Sequence, residues 1–67
     1  MGHLVSGILK KKWDNLLCIE TVSGDRYILI EPQLITLTQS GVKVRTDELT
    51  DNHWGKQVIG LCIKKEG

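Results

Sequence analysis

Phenylalanine is absent from this 67-residue sequence, and the aromatic residues are confined to Trp13, Tyr27 and Trp54. A core built without phenylalanine has to come from aliphatic side chains, and Leu, Ile and Val recur from Leu4 to Ile63. Proline occurs once, at Pro32, which excludes a proline-rich linker. Cysteine occurs only at Cys18 and Cys62, with no Cys-x-x-Cys or Cys-x-x-His spacing, so no metal site is expected. No apolar run reaches the ~18 residues of a membrane-spanning helix. No basic segment precedes an apolar one near Met1-Gly2-His3-Leu4, so a secretory signal is not expected and the cytoplasm is the expected home. A dominant charge is missing too: nine Lys and Arg against eight Asp and Glu leave a net charge of +1. That balance removes the whole-chain argument for a nucleic-acid or anionic-membrane partner and leaves only local patches to consider.

What remains is a single domain spanning residues 1–67, near the lower size limit for an unaided apolar core. So few core residues can be spared for chemistry that neither an elaborate active site nor a cofactor is expected. The chain is organised around its C-terminal third. There a short polar turn ends at Gly55, and a strand from Gln57 to Lys64 is apolar enough to need cover on both faces.

Upstream, Leu4 to Trp13 reads as a first strand, with Gly7 marking a bend or bulge where a barrel strand turns a corner. Trp13-Asp14-Asn15 supplies a turn, Leu16 to Val22 a second strand, and Ser23-Gly24-Asp25 another tight turn before a third strand from Arg26 to Ile30. Pro32 ends that strand, since it has no N–H for a ladder and restricts Glu31. Residues 34–38 read as a fourth strand or as a loop tacked down by Leu34 and Leu37, and the expectation is a hairpin of 34–38 with 42–46 around Gln39-Ser40-Gly41. Thr46 or Asp47 can cap one or two helical or 3₁₀ turns, which place Leu49 and Trp54 as plugs at one barrel end.

Ser6-Gly7-Ile8-Leu9, the segment Ser23 to Leu29, and Leu49 through Gly60 resemble small bacterial OB-fold barrels, with 32–46 outside the likeness. The fold class expected is therefore an all-β, five- or six-stranded OB-like barrel with one short helix or 3₁₀ turn before the last strand. The additional hairpin departs from the OB pattern and keeps SH3-like and Sm-like barrels open. The resemblance implies binding of oligonucleotide, oligosaccharide or protein on one sheet face, although fold alone licenses no single function.

Lys10-Lys11-Lys12-Trp13 is the most pointed local feature. Lysines neutralise phosphates while an indole stacks on a base, at about 1–3 kcal/mol per stacked base. Tyr27, Lys43 and Arg45, with Arg26, extend that surface if their strands share a face. The expected function is a non-catalytic binding module for single-stranded DNA or RNA through Lys10, Lys11, Lys12, Trp13, Tyr27, Lys43 and Arg45. The competing expectation is a protein-interaction or homo-oligomeric assembly module in which an exposed strand such as 34–38 pairs with another chain. The lysines then serve only to keep an edge soluble. His53 beside Asp47, Glu48 and Asp51 lacks a nucleophile or a phosphate-cradling loop, so no enzyme is expected. A metal shared by His3 and His53 lacks a third ligand. Cys18 and Cys62 read either as small buried hydrophobes or as a disulfide worth roughly 3–4 kcal/mol.

Overall fold

A computed structural model describes residues 2–11 and 16–64, without the side chains of Lys11 and Lys64. Six strands form: β1 His3–Lys11, β2 Leu17–Glu20, β3 Arg26–Leu29, β4 Leu34–Leu37, β5 Val42–Arg45 and β6 Gln57–Lys64. Two 3₁₀ turns, Thr46–Glu48 and Asp51–His53, stand where the sequence calls for a helical start. The all-β small barrel with 3₁₀ turns before its last strand is thus the architecture found, and it is consistent with the OB-like class.

The sheet order is β1-β2-β3-β6-β4-β5, and an added β1–β6 pairing closes β1, β2, β3 and β6 into a ring. β1 serves two neighbours in succession: His3 to Ile8 pair with β6, and Ile8 to Lys11 pair with β2. The change of partner falls beside Gly7, where a Cβ would sit 2.5 Å from the Glu20 carbonyl oxygen and 2.7 Å from Ile19 Cγ2. Only glycine lets the two backbones approach that closely, which is the corner expected of it.

β6 also has two partners on its second side. β4 pairs with Val58 and Ile59, and β3 pairs with Cys62 to Lys64. Between them the chain detours through Glu31 and Pro32; the Leu61 carbonyl still accepts the Ile30 N–H at 3.1 Å, but the gap would leave the Leu61 N–H without a ladder partner. Gln33 fills it. Its side-chain carbonyl accepts the Leu61 N–H at 2.7 Å, and its NH₂ donates to the Leu61 carbonyl at 2.6 Å and to the Ile30 carbonyl. The Gln33 main chain is tied in turn to Thr46, which is buried: Thr46 N–H donates to the Gln33 carbonyl at 2.8 Å, and Gln33 N–H donates to Thr46 Oγ1 at 3.2 Å. One residue therefore joins the β3–β4 detour, the closing strand and the first 3₁₀ turn.

The core is aliphatic, as the absence of phenylalanine requires. Val5, Leu9, Ile19, Leu29, Ile35, Val58 and Cys62 are its buried members, and Tyr27, Leu49 and Trp54 pack against it. Leu49 and Trp54 do cover the core beside the 3₁₀ turns, but Trp54 is only half-buried, with its indole N–H donated to Asp51 Oδ1 at 3.0 Å. The turn is anchored to β1 by Gly55 N–H donating to the Leu9 carbonyl and Leu9 N–H to the Lys56 carbonyl, at 2.8 and 2.9 Å.

Both cysteines are buried, and they are not joined to each other. Cys62 lies opposite Leu29 and faces the core, whereas Cys18 lies opposite Lys10 and Ile28, in the alternate set from inward-facing Ile19. Strand parity sends the two side chains to opposite faces, so the small-hydrophobe reading holds. Burial first, and then the Cys18 thiol, pushes the Cys62 thiol up to about 11.

Candidate functional site

Among the described residues, those expected to form a cationic, aromatic surface do not come together as one. Lys10 is on the outer wall of β1, where its Nζ lies 3.0 Å from Glu20 Oε1. Glu20 is directly opposite Ile8, so Lys10 reaches it diagonally across the β1–β2 ladder. Arg26 reaches the other oxygen of the same carboxylate at 3.3 Å. The hydrogen bond from Lys10, and next that from Arg26, holds the Glu20 carboxyl below its usual range. Two of the cations are thus satisfied by one acid.

Arg45 is matched likewise with Asp47, at 3.0 Å. Lys43 is exposed on β5, and Tyr27 points inward beside Ile19 and packs on the core. A ring held there is not an open stacking platform, contrary to the role expected of Tyr27. Lys12, Trp13 and the Lys11 side chain lie outside the described residues. A cleft of about 400 Å³ does open beside Gly7, between Ser6, Lys10, Glu20 and Gln57, but the Lys10–Glu20 pair neutralises its wall.

The His53 group is equally occupied. His53 Nδ1 accepts the Thr50 N–H at 3.0 Å, closing a capping box on the second 3₁₀ turn. Asp51 holds the Trp54 indole, and Asp47 holds Arg45. An Nδ1 that accepts leaves the ring proton on Nε2 in the neutral form. Each of these side chains has a local structural task.

β4, expected as the exposed strand open to another chain, lies between β5 and β6. Among the described residues β5 is open along one side and alternates Val42 and Val44 with Lys43 and Arg45, while β1 over His3 to Gly7 is likewise paired on one side only, with β6. Charged residues on an edge discourage strand addition. The correction arises because β4 pairs on its far side with a strand distant in sequence, which local pattern does not reveal.

The unaccounted feature is the outer wall of β6. Val58, Gly60 and Cys62 face in, so Ile59, Leu61 and Ile63 face out, and they remain 37, 38 and 40% exposed. Leu61 is flanked on β1 by Leu4, which is 76% exposed, and on the other side by Ile30, whose N–H it accepts at 3.1 Å. A Cβ on Gly2 would lie 3.0 Å from Ile30 Cδ1 and 3.1 Å from Leu61 Cδ1, so these two side chains share that wall. Leu34, 61% exposed, stands level with Leu61 where Gln33 bridges the gap. The result is an apolar strip across β1, β6 and the β3–β4 junction, bordered on the same face by Arg45 opposite Leu34 and Lys43 opposite Thr36. Its signal in the sequence was the unbroken apolar run of β6, which was expected to be covered by the chain's own sheet on both faces. The described residues cover one.

Comparisons of the chain with known protein families, with curated proteins and with solved structures found no match.

Proposed function

We propose that this domain is a non-catalytic protein-interaction module that docks through the apolar outer face of β6. The observation that carries this reading is the contiguous exposure of Leu4, Leu34, Ile59, Leu61 and Ile63 on one wall. Isolated exposed hydrophobes are ordinary, but a contiguous apolar patch ringed by polar residues marks a surface that another protein covers. The edge-pairing version of an assembly role is disfavoured by Lys43 and Arg45 on β5.

Hydroxyl-radical footprinting of the dilute chain tests the reading. Strong labelling of Ile59, Leu61 and Ile63 is expected, together with an unchanged melting curve for Leu61→Lys. Protection of those three side chains at high dilution, or a Leu61→Lys variant that fails to fold, would mean that the chain needs this face for itself.

A second reading, binding of single-stranded nucleic acid, keeps one support: Lys10 to Trp13 lead into the β1–β2 connection, one of the loops through which OB folds hold oligonucleotides. With Lys10 and Arg45 already paired, only a few phosphates can be engaged, so affinity should weaken with salt by a shallow slope. A labelled oligonucleotide titrated at low and physiological salt decides it, and no binding at low salt removes it.

A further inference from the structure

We infer that the N-terminal half of β1 is a strand-addition site, which takes an extended segment of a partner protein alongside Leu4 and Ser6. The site is separate from the β6 wall: it is made of backbone hydrogen-bonding groups, where the wall is made of side chains.

The ladder decides which way those groups point. Leu61 gives its N–H to Gln33 and accepts the Ile30 N–H, both on the side away from β1. Leu4, opposite Leu61, is therefore in a pair that exchanges no hydrogen bonds, and its own N–H and carbonyl point away from β6. Two residues on, Ser6 repeats the arrangement. Ile8 and Lys10 continue it, and there the groups meet β2, at Glu20 and Cys18. Carried further, the same register would set Val22 against Ser6 and Gly24 against Leu4. β2 ends first, at Glu20. The turn after it closes on itself, with Gly24 N–H donating to the Thr21 carbonyl and Thr21 N–H to the Asp25 carbonyl, both at 2.9 Å, and Val22 is left fully exposed. Among the described residues, nothing takes the N–H and carbonyl groups of Leu4 and Ser6.

Donors and acceptors at the two-residue repeat of a strand are complementary to another extended backbone. This edge is also unguarded. β5 presents Lys43 and Arg45, whereas Leu4-Val5-Ser6-Gly7 carries neither charge nor proline.

The cleft of about 400 Å³ beside Gly7 supplies the specificity. It lies at the end of the open edge, lined by Ser6, Ile8, Thr21 and Val22, with the Lys10–Glu20 pair in its wall. The side chain set beside Ser6 points outward as Ser6 does, and so enters this cleft. Since the two charges there satisfy each other, an uncharged β-branched residue suits it, and an apolar residue suits the position beside Leu4. The segment is therefore of the type apolar-x-apolar, running along the line that β2 leaves.

A second copy does not supply it. Its own β1 is taken by β2 from Ile8 onward on that same side, so two such edges overlap only from Leu4 to Ser6, with a β2–β3 turn abutting each end. A terminus or loop of a partner protein can instead run on past His3.

Amide hydrogen exchange tests the inference. In the chain alone, Leu4 and Ser6 should exchange at least ~100-fold faster than Val5 and Gly7, which face β6. Equal protection of all four would mean that the edge is not open. The probe is the capped peptide Lys-Thr-Val-Thr-Val-Thr-Lys. At about 2 mM it should slow Leu4 and Ser6 at least ~fivefold and leave Lys43 and Arg45 on β5 unchanged. Ser6→Pro, or a synthetic chain N-methylated at Ser6, removes a donor that the fold does not use. Either should keep the barrel folded and abolish the peptide's protection of Leu4. Absence of slowing at Leu4 and Ser6, equal slowing at Lys43 and Arg45, or protection that survives N-methylation of Ser6 would each overturn the inference. Loss of folding in the N-methylated chain would overturn it too, by showing that the barrel itself uses the Ser6 N–H.

Discussion

Replacing Gln33 with alanine should lower stability by about 1–2 kcal/mol, although the side chain contributes nothing to the apolar core. Its amide makes three hydrogen bonds, two to Leu61 and one to the Ile30 carbonyl. A typical intramolecular hydrogen bond is worth about 1 kcal/mol net, so the gross loss is about 3 kcal/mol. Two effects reduce it. Alanine has no side-chain entropy to lose on folding, whereas ordering a glutamine costs up to about 1.5–2 kcal/mol. Water can also reach the seam, so the Leu61 N–H is not left wholly unbonded. For a chain of this length the remainder corresponds to a fall in melting temperature of roughly 5–15 °C.

Urea denaturation followed by circular dichroism measures the change, and amide hydrogen exchange locates it. Faster exchange at Leu61 is expected in Gln33→Ala, with Ile59, whose backbone faces Thr36 of β4, retaining its protection. Gln33→Glu supplies a second check. Its carboxyl would face two carbonyl oxygens, so it would fold better protonated than ionised, with its pKa raised. The variant should therefore be most stable below the ~4.3 of a free glutamate and lose stability as pH rises through that value, relative to wild type. If Gln33→Ala lay within about 0.3 kcal/mol of wild type and Leu61 exchange were unaltered, the side chain could not be the link between β3, β4 and β6.

Three other outcomes follow from the packing. Cys62 stays protonated to about 11 when folded, against 9.0 for an ordinary thiol, so the unfolded chain loses its proton first. Stability should therefore be fully present below about pH 8 and fall by about 2 kcal/mol between pH 9 and 11. Denaturant titrations on wild type and Cys62→Ala should show that extra slope only in the former. Gly7→Ala forces a Cβ against the Glu20 carbonyl at 2.5 Å and should cost about 2 kcal/mol or more, read as a lower urea midpoint. Trp54→Ala removes an indole from the core margin together with its bond to Asp51. A loss of about 2–3 kcal/mol is expected, short of the ~3–5 of a fully buried aromatic, whereas Trp54→Phe should lose less because packing survives. Thermal melts of the pair measure the difference.

The elements were legible because their signals are local. Gly24, at φ +90°, turns the chain where Ser-Gly-Asp marks it, and Pro32 stops β3 for want of an N–H. Partner choice was not legible, because it depends on which distant strand supplies the other half of each ladder. Lys10 appeared available in the sequence, yet register sets it diagonally across from Glu20. Tyr27 appeared able to stack, but Arg26-Tyr27-Ile28-Leu29 has apolar residues of both parities. Only its pairing with Ile19 turns the ring inward. Gln33 gave no signal at all, since a polar residue after proline resembles any loop residue.

The closing strand carries the strongest link from sequence to function, through an asymmetry between its faces. Its inward side chains are the small ones, Val58, Gly60 and Cys62, while the bulky Ile59, Leu61 and Ile63 point outward. Space explains the inner set: a Cβ at Gly60 would sit 2.7 Å from Leu29 Cδ2 and 2.9 Å from Ile35 Cγ2. Folding of the barrel places no such demand on the outer set, where threonine would favour a strand as well and keep the wall wet. Meanwhile the open edge on β5 carries Lys43 and Arg45, which resist indiscriminate strand pairing. A guarded β5 edge beside an apolar face is the combination expected of a wall that docks through packed side chains. If threonine at 59, 61 and 63 together left the melting curve and the fold unchanged, the bulk of the outer set would be assigned to docking rather than to folding; a variant that fails to fold would refute that assignment.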